Sequence, residues 1–146
     1  LAPLAGQMTG YIFIADNYLG FDDAIYAAVR VITQMVKGGQ SITEFMDSLP
    51  EQHATPELRI DCPDTVKFDS MEKIRAHVLS GHDAADVNSI DGVRVRSGDG
   101  WWLIRASNTE AALVARAEAA DWTALDRLLG DIETTLAAAG LDWKRP

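Results

Sequence analysis

Val93-Arg94-Val95-Arg96-Ser97-Gly98-Asp99-Gly100-Trp101-Trp102-Leu103-Ile104-Arg105 is the stretch that decides the fold. Residues 90–97 and 101–105 alternate as strands do, and Ser97-Gly98-Asp99-Gly100 between them reads as a hairpin turn. Trp101 and Trp102 fall on opposite faces, so one belongs to the core and the other covers the second face. Residues 113–119 read as the next strand, with Leu113, Ala115 and Ala117 opposite Arg116 and Glu118. A sheet that is apolar on one side needs helices to cover it. Trp122, Leu125, Leu129, Ile132 and Leu136 recur at helical spacing after a capping Asp121, and Gly140 ends the run. Upstream, residues 57–62 read as a strand. Asp69 and Glu72 then predict the start of a helix that runs to about Ser80, with Gly81 as its stop. Residues 57–140 therefore read β-α-β-β-β-α. The fold class is α+β, a small antiparallel four-stranded sheet with two helices on one face.

The residues before this unit read differently. Residues 6–14 form a glycine-flanked loop entering a short strand. Ile25, Ala28, Val29, Ile32, Met35 and Val36 mark a helix over 22–37, ended by Gly38-Gly39. Ser41 and Glu44 are a capping-box pair opening a second helix to Leu49, which Pro50 closes. Two helices and one strand are too little for a domain. The polar, proline-bounded residues 51–56 read as a linker, so the division falls into 1–50 and 51–146. The start, Leu1-Ala2-Pro3-Leu4, has no initiator Met and no basic signal region, and reads as the interior of a longer sequence.

The chain has 146 residues, is 47% apolar and 24% charged, and carries a net charge of −9. Such a surface repels phosphodiester backbones and anionic headgroups, which argues against nucleic acid and membranes as partners. No apolar run reaches transmembrane length. The single cysteine, Cys62, rules out an intrachain disulfide and suits a reducing cytoplasm. A bound anion would need a local positive pocket, which arginines 94, 96, 105 and 116 are grouped closely enough to supply.

Beyond Ile104 the strand runs into Arg105-Ala106-Ser107-Asn108-Thr109-Glu110. A guanidinium offers a planar fork of N–H groups at fixed charge, matched to phosphate oxygens. Ser107, Asn108, Thr109 and the backbone N–H groups of a tight loop add neutral donors. The same residues also make an ordinary polar loop that satisfies its own backbone.

Taken with Asp91-Gly92-Val93-Arg94-Val95 and Asp99-Gly100-Trp101-Trp102-Leu103, this loop resembles the C-terminal domain of the α-D-phosphohexomutases. Gly6-Gln7-Met8-Thr9-Gly10-Tyr11 resembles the family's sugar-recognition loop, Gly-Glu-Met-Ser-Gly-His. Gly20-Phe21-Asp22-Asp23-Ala24 resembles the segment that follows it, and Thr55-Pro56-Glu57 resembles the family's entry to the last domain. Asn108 and Met8 lean toward the phosphomannomutase/phosphoglucomutase branch. The resemblance implies phosphate binding by Arg105, Ser107, Asn108 and Thr109, and sugar binding by Gln7, Thr9 and Tyr11. It implies that residues 1–50 are the helical remnant of a third, α/β domain and that 51–146 are the complete fourth domain. It further implies a glucose or mannose 1-/6-phosphate as partner, phosphoryl transfer between O1 and O6, and a phosphoserine and Mg²⁺ in domains absent from these residues. This stretch alone is then expected to be catalytically silent, and the apolar faces of its first helices leave self-association open.

Gln7, Thr9 and Tyr11 depart from the family's Glu, Ser and His. An amide offers one acceptor oxygen where a carboxylate offers two, and the change at position 11 removes a group that titrates near neutrality. These changes also admit a non-catalytic anion-binding or interaction module built on the same fold. Three other candidates carry less. His77, His82, Asp83 and Asp86 do not match a metal-ligand spacing. Cys62 reads as a small buried apolar residue, and the acidic residues Asp126, Asp131 and Glu133 as a solvated helix face.

Overall fold

The computed structural model describes residues 3–7 and 10–145, which divide into two units, one up to Pro50 and one from Glu51. The first unit opens with a hairpin of β1 (Leu4–Gly6) and β2 (Ile12–Ile14), paired antiparallel from Leu4↔Ile14 to Gly6↔Ile12. The sequence predicts only one strand here. Leu4–Gly6 is too short for an alternation signal and becomes a strand only because β2 folds back onto it.

Helix α1 (Ala24–Gly38) starts at Asp23, whose carboxylate accepts from the Tyr26 N–H, and ends at Gly39 in the left-handed conformation. Glycine meets no Cβ penalty there, which makes it a common helix stop. Helix α2 (Ile42–Asp47) carries the full capping box, with Ser41 and Glu44 each accepting from the other's backbone N–H. Among the described residues of this unit only Ile14 and Ala27 are buried, and Ile25, Val29, Ile32 and Val36 of α1 are exposed.

The second unit contains β3 (His53–Ala54), β4 (Leu58–Asp61), α3 (Asp64–Gly81), a 3-10 turn at Ala84–Asp86 and β5 (Val87–Asn88). It continues through β6 (Val93–Ser97), β7 (Gly100–Ala106), β8 (Ala112–Ala119) and α4 (Trp122–Ala138). The sheet is antiparallel throughout, ordered β3-β8-β7-β6-β5, with β4 also pairing β8. Its four main strands are β4, β8, β7 and β6, and with α3 and α4 they give the predicted β-α-β-β-β-α order.

Register fixes which residues share a face. Val95↔Trp102↔Ala117 and Val93↔Ile104↔Ala115 lie across three strands; Leu58 of β4 continues the second row, and Ile60 lies in the next, opposite Leu113 and Ala106. These residues pack against Met71, Ile74 and Val78 of α3 and Leu125, Leu128, Ile132 and Leu136 of α4. Trp102 is the core tryptophan and Trp101 the half-buried one on the other face.

Several predicted boundaries move. Helix α3 begins at Asp64, behind Pro63, and no side chain caps it. Proline presets φ for a helix start, and Asp64 in the first turn favours the positive end of the helix dipole. Asp69 is therefore a residue within the helix. Strand β6 begins at Val93, because Gly92 at φ +76° breaks the extended run and leaves Ile90 exposed. The predicted linker is partly sheet: His53–Ala54 pairs with Glu118–Ala119, and the buried Thr55 hydroxyl accepts from the Ala117 N–H. Trp122 is 69% exposed and lies over the His53 ring, with centroids 4.6 Å apart, outside the core row that its spacing predicts.

Candidate functional site

The β7–β8 connection brings the predicted phosphate-binding residues together. Arg105 sits near the end of β7, opposite Val114, and its alternation turns it away from the helices. Its position depends on the Asp91-Gly92 turn. A Cβ on Gly92 would stand 2.2 Å from the Ile104 carbonyl oxygen and 2.7 Å from the Arg105 Cα, so the turn lies directly against this backbone. The half-buried Arg105 guanidinium makes one long contact, 3.4 Å to the Ala106 carbonyl, and among the described residues no carboxylate pairs with it.

Pairing register puts Arg59, Arg94, Arg96 and Arg116 on the same face as Arg105, with Asp61 and Glu118 the acidic residues there. The guanidinium of Arg94 lies 4.7 Å from the Trp101 ring centroid, a cation–π distance. Arg96 is within 3.7 Å of Asp86. Arg116 has no hydrogen bond or ion pair among the described residues. Sheet alternation thus gathers positive charge on one face of a chain whose net charge is −9.

The loop is held from behind. The Ser107 N–H donates to the Ala112 carbonyl at 3.0 Å, and the Cys62 N–H donates to that of Ala111 at 3.0 Å. The buried Ser107 hydroxyl oxygen accepts from the Glu110 N–H at 3.2 Å, with a longer contact from Thr109 at 3.4 Å. Its own O–H remains a donor. Arg59 binds the Glu110 carboxylate and also Glu57, and the Glu110 hydrogen bond is the main cause raising the Arg59 guanidinium pKa. That pairing compensates the one acidic side chain of the loop. Asn108 and Thr109 are exposed, and among the described residues their side chains have no hydrogen-bond partner.

Lys67 is the residue that sequence reading missed. It is 4% exposed, and its Nζ donates to Asp64 Oδ1 at 2.6 Å, the Ser107 carbonyl at 2.7 Å and the Glu110 carbonyl at 2.9 Å. The available signal was its spacing. Lys67, Met71, Ile74 and Val78 form one helical row, so the lysine occupies a core position in an otherwise apolar series.

Of the predicted sugar-binding residues, Gln7 and Tyr11 face each other across the β1–β2 hairpin tip. The Gln7 N–H donates to the Tyr11 carbonyl at 2.8 Å, and Gly10 donates back to the Gln7 carbonyl at 3.0 Å. Both side chains are exposed. Thr9, and Met8 beside it, lie outside the described residues. Asp83 caps the 3-10 turn, Asp86 pairs with Arg96, and His82 approaches the Trp102 edge. Among the described residues no three His, Cys, Asp or Glu side chains come together to hold a metal ion. No helix among them is long and apolar enough to cross a membrane.

Comparison with known proteins gives a consistent set of similarities. The family described as phosphoglucomutase/phosphomannomutase, C-terminal domain, matches residues 57–135. A phosphomannomutase/phosphoglucomutase from Pseudomonas putida is 40% identical over 133 residues, which is 91% of this chain and 28% of the relative. A phosphoglucomutase from Neisseria gonorrhoeae is 35% identical over 127 residues, 87% of this chain and 27% of the relative. The crystal structure of a phosphoglucomutase/phosphomannomutase family protein from Burkholderia thailandensis superposes with a TM-score of 0.80 at 34% identity. It covers 97% of this chain and 30% of that one. The chain spans less than a third of the length of each of these relatives.

Proposed function

Because the chain belongs to the phosphoglucomutase/phosphomannomutase family and contains its C-terminal domain, we propose that it is the phosphate-clamping part of a hexose-phosphate mutase. The observation that carries this reading is the Arg105 guanidinium, without a carboxylate partner among the described residues, beside a loop that is tied down from behind and exposes Asn108 and Thr109. Arg105 supplies fixed charge and a bidentate fork. Asn108, Thr109 and the Ser107 O–H supply neutral donors that accept a phosphate on either end of a reoriented sugar bisphosphate. A clamp on the distant phosphate assists transfer between O1 and O6 by positioning, using binding energy remote from the reacting centre.

In this reading the phosphoserine and Mg²⁺ belong to other domains of a longer cytoplasmic protein, and residues 1–50 are the end of its third domain. No step of the transfer is carried by a metal on these residues, and the stretch alone turns over no substrate. Gln7, Thr9 and Tyr11 contact sugar hydroxyls. The remainder of the third domain covers the apolar face of α1, and without it that face associates with a second copy. The altered hairpin tip, with Gln, Thr and Tyr at 7, 9 and 11, supports a second reading as a non-catalytic anion-binding module. A coupled mutase assay on the longer protein separates the two, since the module would bind phosphate without interconverting sugar phosphates.

Calorimetry with inorganic phosphate and with glucose 1-phosphate tests the clamp. Both ligands should bind this chain weakly, and Arg105→Ala should remove the heat of both. Equal binding by the variant sinks the assignment.

A further inference from the structure

Lys67 is a buried cation that the clamp, as described, does not use. An ammonium has three donors, and here each has its own acceptor: Asp64 Oδ1, the Ser107 carbonyl and the Glu110 carbonyl. Two of those acceptors are backbone atoms of the phosphate loop, 40 and 43 residues further along the chain. A trans peptide unit is planar, with its C=O and N–H pointing in opposite directions. Drawing the Ser107 carbonyl in toward Lys67 therefore turns the Asn108 N–H outward. Drawing in the Glu110 carbonyl does the same for the Ala111 N–H. Among the described residues neither N–H has an acceptor, whereas the intervening Thr109 and Glu110 N–H groups are taken up by the Ser107 hydroxyl.

We propose that Lys67 is the positioning residue of the phosphate loop, aiming the Asn108 and Ala111 N–H groups at the bound phosphate and placing a second positive charge behind it. The inference rests on the reading of residues 105–109 as a phosphate clamp and adds the element that organises it. Oriented backbone N–H groups form an anion-binding concavity, and a cation bonded to the carbonyl ends of the same peptide units polarises them further in that sense. Arg59 acts alongside by holding the Glu110 carboxylate.

The test is phosphate titration of this chain, of Lys67→Met, which keeps the long apolar stem without the donors, and of Val78→Ala as a control. Val78 is buried on the same helix, so its truncation destabilises the unit without touching the loop. Lys67→Met should weaken inorganic phosphate binding about tenfold or more, the effect of losing charge-assisted donors. Val78→Ala, measured where it is folded, should bind within about twofold of the unmodified chain. On the unmodified chain, phosphate should shift the Asn108 and Ala111 amide resonances and the Lys67 ¹⁵N-ammonium signal, leaving those of Lys37, Lys73 and Lys144 in place. That measurement stands even if Lys67→Met does not fold. Unchanged affinity in folded Lys67→Met, or silent Asn108, Ala111 and Lys67 signals while Arg105 responds, overturns the proposal and leaves the clamp intact. No phosphate binding by the unmodified chain overturns both.

Discussion

Arg105 owes its position to Gly92. The turn before β6 crosses the end of β7 so closely that a methyl group on Gly92 would sit inside contact distance of two backbone atoms. Its φ of +76° is also one that an L-residue adopts only with strain. Gly92→Ala is therefore expected to lower stability by about 2 kcal/mol or more in denaturant unfolding, and to weaken phosphate binding because Arg105 must shift. Arg105→Lys tests the fork separately from the charge. It should bind phosphate about tenfold more weakly than Arg105 and better than Arg105→Ala, as read by calorimetry. Arg105 and its polar neighbours were legible because they are consecutive in the sequence. Lys67 was not, because its two partners in the loop lie 40 and 43 residues away and a lysine in an apolar row looks like a break in the pattern. Asp69 misled for a related reason: an acidic residue near a helix start resembles a cap, whereas Pro63 and the sheet-facing row set the true beginning.

At the scale of the element, the β6–β7 hairpin joins the core to the site. Its alternation puts Trp102 among the helices and Trp101 under Arg94. Trp102→Ala should cost about 3–5 kcal/mol in chemical denaturation, a core truncation, whereas Trp101→Ala should cost about 1 kcal/mol. The hairpin turn is tied to α4 by Arg127, which binds both oxygens of Asp99 at 2.5 and 2.8 Å. The hydrogen bonds from Arg127 hold the Asp99 carboxyl below its ordinary value of 3.8. A carboxyl depressed in the folded state contributes stability above its unfolded pKa and loses that contribution as pH falls through the folded value. Urea midpoints of the unmodified chain should therefore fall more steeply below pH 3.8 than those of Arg127→Ala, with the two converging once Asp99 is protonated. The four main strands of the second sheet, the hairpin and α4 were legible from period and turn chemistry. Strands β1, β3 and β5 were not. Two or three residues carry no period, and each becomes a strand only through pairing, as His53–Ala54 does with the end of β8.

The whole molecule divides into a unit with its own core and one without. From Glu51 onward the sheet and two helices enclose a continuous apolar cluster, whereas before Pro50 only Ile14 and Ala27 are buried among the described residues. Residues 51–146 expressed alone should keep the cooperative thermal transition and the phosphate affinity of the chain. Residues 1–50 alone should show little helical circular dichroism, since a 15-residue helix without packing is marginal in water. The division at residue 50 was legible from composition, but the sequence could not say how much of the intervening stretch the sheet recruits. The most direct test of the central claim, that the Arg105–Thr109 loop is a phosphate clamp, is an amide and guanidinium NMR titration with glucose 6-phosphate. The account predicts saturable shifts at Arg105 Nε, Asn108 and Thr109, all absent in Arg105→Ala. Shifts confined to other parts of the chain, or unchanged in that variant, would contradict it.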